Sequence, residues 1–352
     1  MSAARVTVGI PTFNRARLLA ESIQSVLAQT YTNFSLIVSD NASDDDTEDV
    51  VRSFNDPRIR YLRSERNVGA IENLNRLIAL AETEYLVLLP DDDVLYPDHL
   101  RSTVELLERL GSVGLVHSKF DLIDARSRVI ERATPLVSRS AMTIERRDRA
   151  LERMMVSGWG LCFASVMYRT RAIAEAGGFR EEEEPFGDRE LWMRVALNWD
   201  FAYIDTPLVG FRSHPATITA NVAVRHGVNG RERGLLHSQL HFERRMDFLD
   251  HAPLERWRTK QLRAMATLQF LVDSAAWGLP WKEVAARLAK LVAEYPRTVL
   301  RPAFWRLVAA QLGGRRLRSA LRGSITRPIP PRAGLSRSVT APNDCESRFS
   351  KH

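Results

Sequence analysis

Five consecutive aromatic or aliphatic residues, Tyr85 to Leu89, run straight into Pro90 and then Asp91, Asp92 and Asp93. An unbroken apolar run of this length reads as a strand covered on both faces, which calls for a sheet with helices above and below it. Three adjacent carboxylates at the end of such a strand repel one another and cost stability unless a cation or a set of donors holds them. A solvated acidic turn is the competing reading, because Pro and Asp both favour turns. The apolar lead-in favours a ligand site, and hard carboxylate oxygens select Mg or Mn over softer metals.

The rest of the N-terminal half alternates in the same manner. Val6 to Ile10 is a short β-branched run stopped by Pro11, and Leu18, Leu19, Ile23, Val26 and Leu27 then recur with a helical period up to Thr30. Phe34 to Val38 forms a second strand ending at Asp40; Ser43 with Asp44, Asp45 and Asp46 reads as a helix cap with acids at the positive end of the dipole. Ile59 to Leu62 is a third strand, and Ile71 to Ala81 a helix with Leu74, Leu77 and Ile78 inward. Strands alternating with helices imply an α/β fold with a Rossmann-like, mostly parallel sheet. Ligands of such sheets collect at the carboxyl ends of the strands, here Pro11 to Arg15, Asp40 and Asp91 to Asp93. Neither GxGxxG after the first strand nor GxxxxGK[ST] anywhere is present, so a nucleotide must be held by acids and a metal instead of a glycine cradle.

Composition narrows the class. At 352 residues, 45% hydrophobic and 26% charged, the chain is long enough for one large domain and an appendage. No uncharged apolar run approaches the length of a membrane span. The first residues carry a strand pattern where a signal peptide would have its apolar core, so a cytoplasmic location is expected. Cys162 and Cys345 are the two cysteines and build neither a disulfide framework nor a cysteine metal site. The net charge of +7 is local: Tyr295 to Asn343 holds ten Arg and no Lys, Asp or Glu, leaving 7 − 10 = −3 for the remainder.

Five pieces in order carry a family resemblance: VGIPTFNR (Val8 to Arg15), SVLAQTYTNFSLIVSDNASDDDT (Ser25 to Thr47), NVGAIENLN (Asn67 to Asn75), LLPDDDVLYPDHL (Leu88 to Leu100) and FGDRELWMR (Phe186 to Arg194). Over Val6 to His214 the chain resembles the inverting nucleotide-sugar glycosyltransferases of family 2, which have the GT-A fold. The resemblance implies that Pro11, Thr12, Phe13 and Arg15 wrap a nucleobase and its phosphates and that Asp40 hydrogen-bonds a uracil-type base edge. It implies Asp91 on the ribose, Asp92 on a divalent metal (Mn or Mg) and Asp93 in support. The family's acid-x-acid-acid cluster has Pro90 at its first position here, which leaves the main metal ligand open among Asp91, Asp92 and Asp93. Arg15 reads equally as a further cation for the phosphates or as a surface arginine at a helix start.

In the second half Ala164 to Tyr168 reads as a strand, Arg171 to Ala176 as a short helix stopped by Gly177 and Gly178, and Gly187-Asp188 as a helix start with Leu191, Trp192, Val195 and Ala196 inward. By the resemblance, Asp188 is the general base, with Gly187 where many members carry Glu. Displacement with inversion needs one carboxylate to take the acceptor's proton as it attacks, and no covalent intermediate. Phe211 to His214 is expected as a polar loop after a strand Phe201 to Ile204; His214 is a candidate for the metal shell, against the plainer reading of a solvated His. Trp159 and Gly160 resemble an acceptor-side loop.

The expected layout is a GT-A catalytic domain over 1–225, an α-helical C-terminal extension over 226–322 and a disordered tail over 323–352. Trp281, Val284, Leu288, Leu291, Val292 and Tyr295 mark one apolar helix face. Arginines beside an apolar stripe over Phe304 to Leu321 suit an anionic membrane surface, with a solvated arginine face as the alternative, so a peripheral position at the inner face of the membrane is considered. Nucleic acid is not an expected partner, since the arginines lack interleaved aromatic stacking positions. The sequence thus points to a metal-dependent transferase of polysaccharide biosynthesis. It would move a sugar from a UDP- or dTDP-sugar to a hydroxyl of a glycan or lipid-linked acceptor. A nucleotide-sugar binder without catalysis is the alternative, motivated by Pro90 and Gly187.

Overall fold

The computed structural model describes residues 3–132, 142–156, 161–181, 187–213, 230–276, 279–300 and 304–305. One ten-stranded sheet organises it: β1 (Val6–Thr12), β2 (Phe34–Asp40), β3 (Ile59–Arg63), β4 (Tyr85–Leu88), β5 (Val94–Leu95), β6 (Val113–Ile123), β7 (Val129–Glu131), β8 (Met142–Glu145), β9 (Met167–Arg169) and β10 (Asp200–Arg212). The strand order is β3-β2-β1-β4-β9-β6-β10-β5, with β7 on β6 and β8 on β10. β3, β2, β1 and β4 pair in parallel, β9 inserts antiparallel between β4 and β6, and β10 lies parallel to β6. Six strands therefore run the same way, and their carboxyl ends share one edge.

The apolar run behaves as its lack of alternation demands. Tyr85, Val87 and Leu89 enter one core with β1, β2, α1 (Ala16–Leu27) and α4 (His99–Arg109). Leu86 and Leu88 enter the other, with α3 (Ala70–Ala79), α5 (Arg147–Val156), α6 (Thr170–Glu175) and α7 (Gly187–Asn198). A strand buried on both faces is stabilised by about 1.5–3 kcal/mol for each large side chain taken from water. The sheet reverses its winding at β1, with β2 on one side and β4 on the other, which is where crevices form in open α/β sheets.

Three helices follow β10: α8 (Gly230–His251), α9 (Arg256–Ala276) and α10 (Trp281–Glu294). Phe248 and Leu249 of α8 and Leu262 and Ala266 of α9 extend the core around α5 and α7. Val284, Leu288 and Leu291 of α10 close a separate small core against Leu268, Phe270 and Leu271 of α9. No helix among the described residues is long and apolar enough to cross a membrane.

Several expected elements differ. Ser43 caps no helix: α2 (Thr47–Ser53) starts after Asp46, and Ser43 turns back onto Asp40 instead. The segment Ala164 to Tyr168 divides into a 3-10 turn, Phe163–Ser165, and the short strand β9, because β9 is confined between two neighbours. The strand expected over Phe201 to Ile204 continues to Arg212, so Phe211 and Arg212 are sheet residues and not a loop. Pro207 sits at a register shift in β10, where a residue without an N–H is tolerated.

Candidate active site

The residues at the carboxyl edge are joined by short polar contacts. At the end of β1, Thr12 Oγ1 donates to Asp91 Oδ2 at 2.8 Å, and the Asn41 N–H donates to the Thr12 carbonyl at 2.9 Å. Asn14 adopts a positive φ of 54°, a conformation that Asn tolerates, and so turns the chain. Its N–H donates to Ser43 Oγ and its Oδ1 accepts from the Asp44 N–H, both at 2.9 Å. Pro11 is half-buried, and the Phe13 ring, 42% exposed, stands at the mouth of the edge.

Asp40 is buried with both oxygens engaged. Oδ1 accepts from the Ser43 N–H at 2.9 Å and its hydroxyl at 2.6 Å, while Oδ2 accepts from Tyr61 Oη at 2.6 Å, with Arg63 Nε 3.6 Å away. Burial and the Asp40 charge push the Tyr61 hydroxyl well above its ordinary range, so it stays a donor. A carboxylate offers about four acceptor positions, so three hydrogen bonds leave room for a base edge.

The acids after β4 sit on a turn closed by the Asp93 N–H donating to the Pro90 carbonyl at 3.2 Å. Arg15 Nη1 bridges Asp91 Oδ1 at 3.2 Å and Asp92 Oδ2 at 2.7 Å. Asp93 faces elsewhere: its Oδ1 accepts the Arg212 N–H at 2.7 Å, and its carbonyl accepts from Ser22 Oγ at 2.6 Å. The Arg212 side chain, 1% exposed, then donates through Nε to the Asp92 carbonyl at 2.6 Å, through Nη2 to Glu21 at 2.8 Å, and through Nη1 to the Asp124 carbonyl and Ser127 Oγ at 3.0 Å. Burial pushes the Asp91 carboxyl up to about 6 against the pull of Arg15, and burial with the neighbouring Asp92 charge carries Asp93 well above the carboxylate range.

Asp91 and Asp92 share the single guanidinium of Arg15, while the Arg212 guanidinium pairs with Glu21 and its backbone N–H with Asp93. Hard carboxylate oxygens fit a divalent cation, and Asp91 and Asp92 are turned to a common partner in Arg15. Among the described residues no three His, Cys, Asp or Glu side chains already converge as a cage. His214, Trp159 and Gly160 lie outside the described residues, as do residues 306–352, on which the expected arginine-lined helix largely falls, with the expected tail.

Asp188 opens α7 and is half-buried; its Oδ1 accepts the Arg189 N–H at 2.7 Å, and burial raises its pKa. Cys162 is a buried thiol pushed up by burial and then by the charges of Asp93 and Asp188. Asparagines of α3 hold the turn after α6 and the end of β2. Asn75 donates to the Phe179 carbonyl at 2.9 Å and accepts its N–H at 2.8 Å, while Asn73 donates to the Ser39 carbonyl at 2.9 Å and accepts from its hydroxyl at 2.6 Å.

Arg212 and these asparagines were missed by sequence reasoning. Alternation of β-branched and aromatic residues through Leu208 to Arg212 is the signal that would have placed Arg212 in the sheet.

With this geometry established, residues 7–172 match the sequence pattern of Glycosyl transferase family 2. Over that stretch, just under half of its length, the chain is similar to glycosyl transferase family 2. Uncharacterized glycosyltransferase RP339 of Rickettsia prowazekii is 29% identical over 215 residues, covering 61% of this chain and 65% of that protein, less than two thirds of its length. Among solved structures, S. aureus TarS 1-349 in complex with UDP-GlcNAc aligns with a TM-score of 0.58 at 16% identity, covering 91% of each chain. Mannosyltransferase PcManGT from Pyrobaculum calidifontis, in complex with GDP-Man and Mn2+, aligns at 0.52 and 19% identity, covering 89% of this chain and 87% of that one. The chain shares the mixed α/β, GT-A fold of both structural neighbours.

Proposed function

We propose that this protein is a metal-dependent inverting glycosyltransferase that moves a sugar from a nucleoside-diphosphate sugar, of UDP or dTDP type, to a hydroxyl acceptor. The observation that carries the reading is the convergence of Thr12, Arg15, Asp91 and Asp92 at the winding reversal of the sheet. Phe13 offers an exposed ring to a base face, and Asp40 keeps acceptor capacity for a base edge. Asp91 and Asp92 would hold the cation, which when bound neutralises charge on the departing pyrophosphate. Arg15 supplies a further positive group beside the same acids.

Asp188 takes the proton from the attacking hydroxyl. Only its ionised form does so, and burial raises its pKa, so turnover falls as pH drops through a value above that of an ordinary Asp side chain. The acceptor is read as a hydroxyl of a growing or lipid-linked glycan. The comparison with binding alone is made by assaying a panel of UDP-, dTDP- and GDP-sugars with Mn2+. Asp92→Asn is expected to lose about 10²-fold or more in turnover, and Asp188→Asn the same while still binding UDP. Tight UDP binding with no turnover of any donor by the unaltered chain would favour the non-catalytic binder instead.

A further inference from the structure

A buried group of charges lies directly behind Asp188. Arg189 is 4% exposed; its Nη2 donates to the Met154 carbonyl of α5 at 3.1 Å, and its Nη1 lies 3.3 Å from Nδ1 of His241 in α8. One turn along α8 stands Arg245, 1% exposed. Asp273 of α9, also buried, accepts from Gln269 at 2.8 Å and acts electrostatically on both arginines. Independently, Arg258 of α9 pairs with Glu152 of α5 at 2.9 Å and donates to the Asp148 carbonyl at 2.9 Å, so the extension is pinned to the helix beneath Arg189.

Stability is a weak reason for this arrangement. Buried ion groups replaced by apolar residues of similar volume are often neutral or more stable, and two neighbouring guanidiniums repel. Position is the stronger reason. Arg189 follows Asp188 in the chain, its N–H donates to that carboxylate, and its guanidinium reaches both α5 and the extension.

We infer that Arg189, anchored between α5 and the helical extension, is a positioning residue that fixes the start of α7 and keeps Asp188 oriented and ionised. The inference rests on the reading of Asp188 as the base. The Arg189 N–H and charge pull the Asp188 carboxyl down against the rise that burial imposes. Arg189 is itself lowered by burial, then by Arg245 of α8, with Arg153 of α5 acting the same way, while Asp188 and Asp273 of α9 hold it up. The Asp188 charge also acts on Cys162 and on Tyr168 of β9, whose pKa values burial raises so that both remain neutral. His241 of α8 completes the surroundings.

The test uses the full chain with Mn2+ and UDP-GlcNAc hydrolysis. Arg189→Met is expected to lower kcat about tenfold with the donor KM changed less than about twofold, and to move the acid limb of kcat upward by about one pH unit. Arg189→Lys keeps the charge and is expected to restore the limb but not the whole of kcat. An unchanged limb and kcat in Arg189→Met overturns the inference. Because that variant removes a buried group, Asp273→Asn is examined by amide hydrogen exchange. Faster exchange over Gly187 to Arg194, with Val6 to Thr12 unchanged, is expected; equal protection of both segments overturns the inference. Asp188→Asn retaining turnover would instead remove the base reading and leave the exchange result standing.

Discussion

Arg212 shows what a single buried side chain does for this site: it ties the acid loop after β4 to α1 through Glu21 and to the Asp124–Ser127 turn. Exposed ion pairs such as Arg52–Glu48 contribute at most about 1 kcal/mol. Removing the Arg212 guanidinium leaves the buried Asp92 carbonyl without its donor, so Arg212→Met is expected to lower unfolding stability by about 1–3 kcal/mol in a urea titration. Arg212→Lys is expected to recover little of it, because an ammonium does not reproduce the planar fork. A loss below about 1 kcal/mol in the Met variant would contradict this role. His99 makes a second prediction. Burial depresses its pKa from 6.5 to about 4, so between those values the unfolded chain binds the extra proton. The neutral-His contribution is present above pH 6.5 and is lost as pH falls towards about 4. His99→Gln is expected to flatten that part of the stability–pH curve, and an unchanged slope would contradict it.

At the scale of elements, the turn that ends α6 is tied to α7 by Arg194, whose Nη2 donates to the Gly178 carbonyl at 2.6 Å. Gly177 and Gly178 have φ values of 81° and 67°, and a Cβ at Gly178 would meet Asn75 Oδ1 at 2.6 Å. Gly178→Ala is therefore expected to destabilise by about 1–3 kcal/mol and to reduce turnover more than UDP binding. Equal stability would show that the turn is not strained. The sequence made this stop legible, as it did β1, β2, β4 and the inward faces of α1, α3 and α7, because uninterrupted apolar runs and helical periods are local signals. β9 was blurred and β10 truncated for the opposite reason. β9 owes its place to two partners distant in sequence, and β10 carries charges at Asp200, Asp205 and Arg212 that mask its period. Asp45 illustrates a further limit: it lies among acids read as helix chemistry, yet it accepts the Ala16 N–H at the start of α1 at 3.0 Å.

Across the whole molecule, the acids legible in the sequence stand at ends of parallel strands or at the start of α7, while the groups that orient them come from elsewhere. Arg212 reaches back from the last strand, Asn75 across from α3, and Arg189 out to the extension. Such partners are invisible to spacing, since they are set by which strands lie side by side. The central claim is that one base, Asp188, acts opposite a departing pyrophosphate held near Asp91 and Asp92. The most direct measurement is the anomeric configuration of the sugar released or transferred from an α-linked UDP-sugar in the presence of Mn2+, followed by NMR before mutarotation. A β product, abolished in Asp188→Asn, is the expected result; an α product, or a β product undiminished in Asp188→Asn, would contradict it.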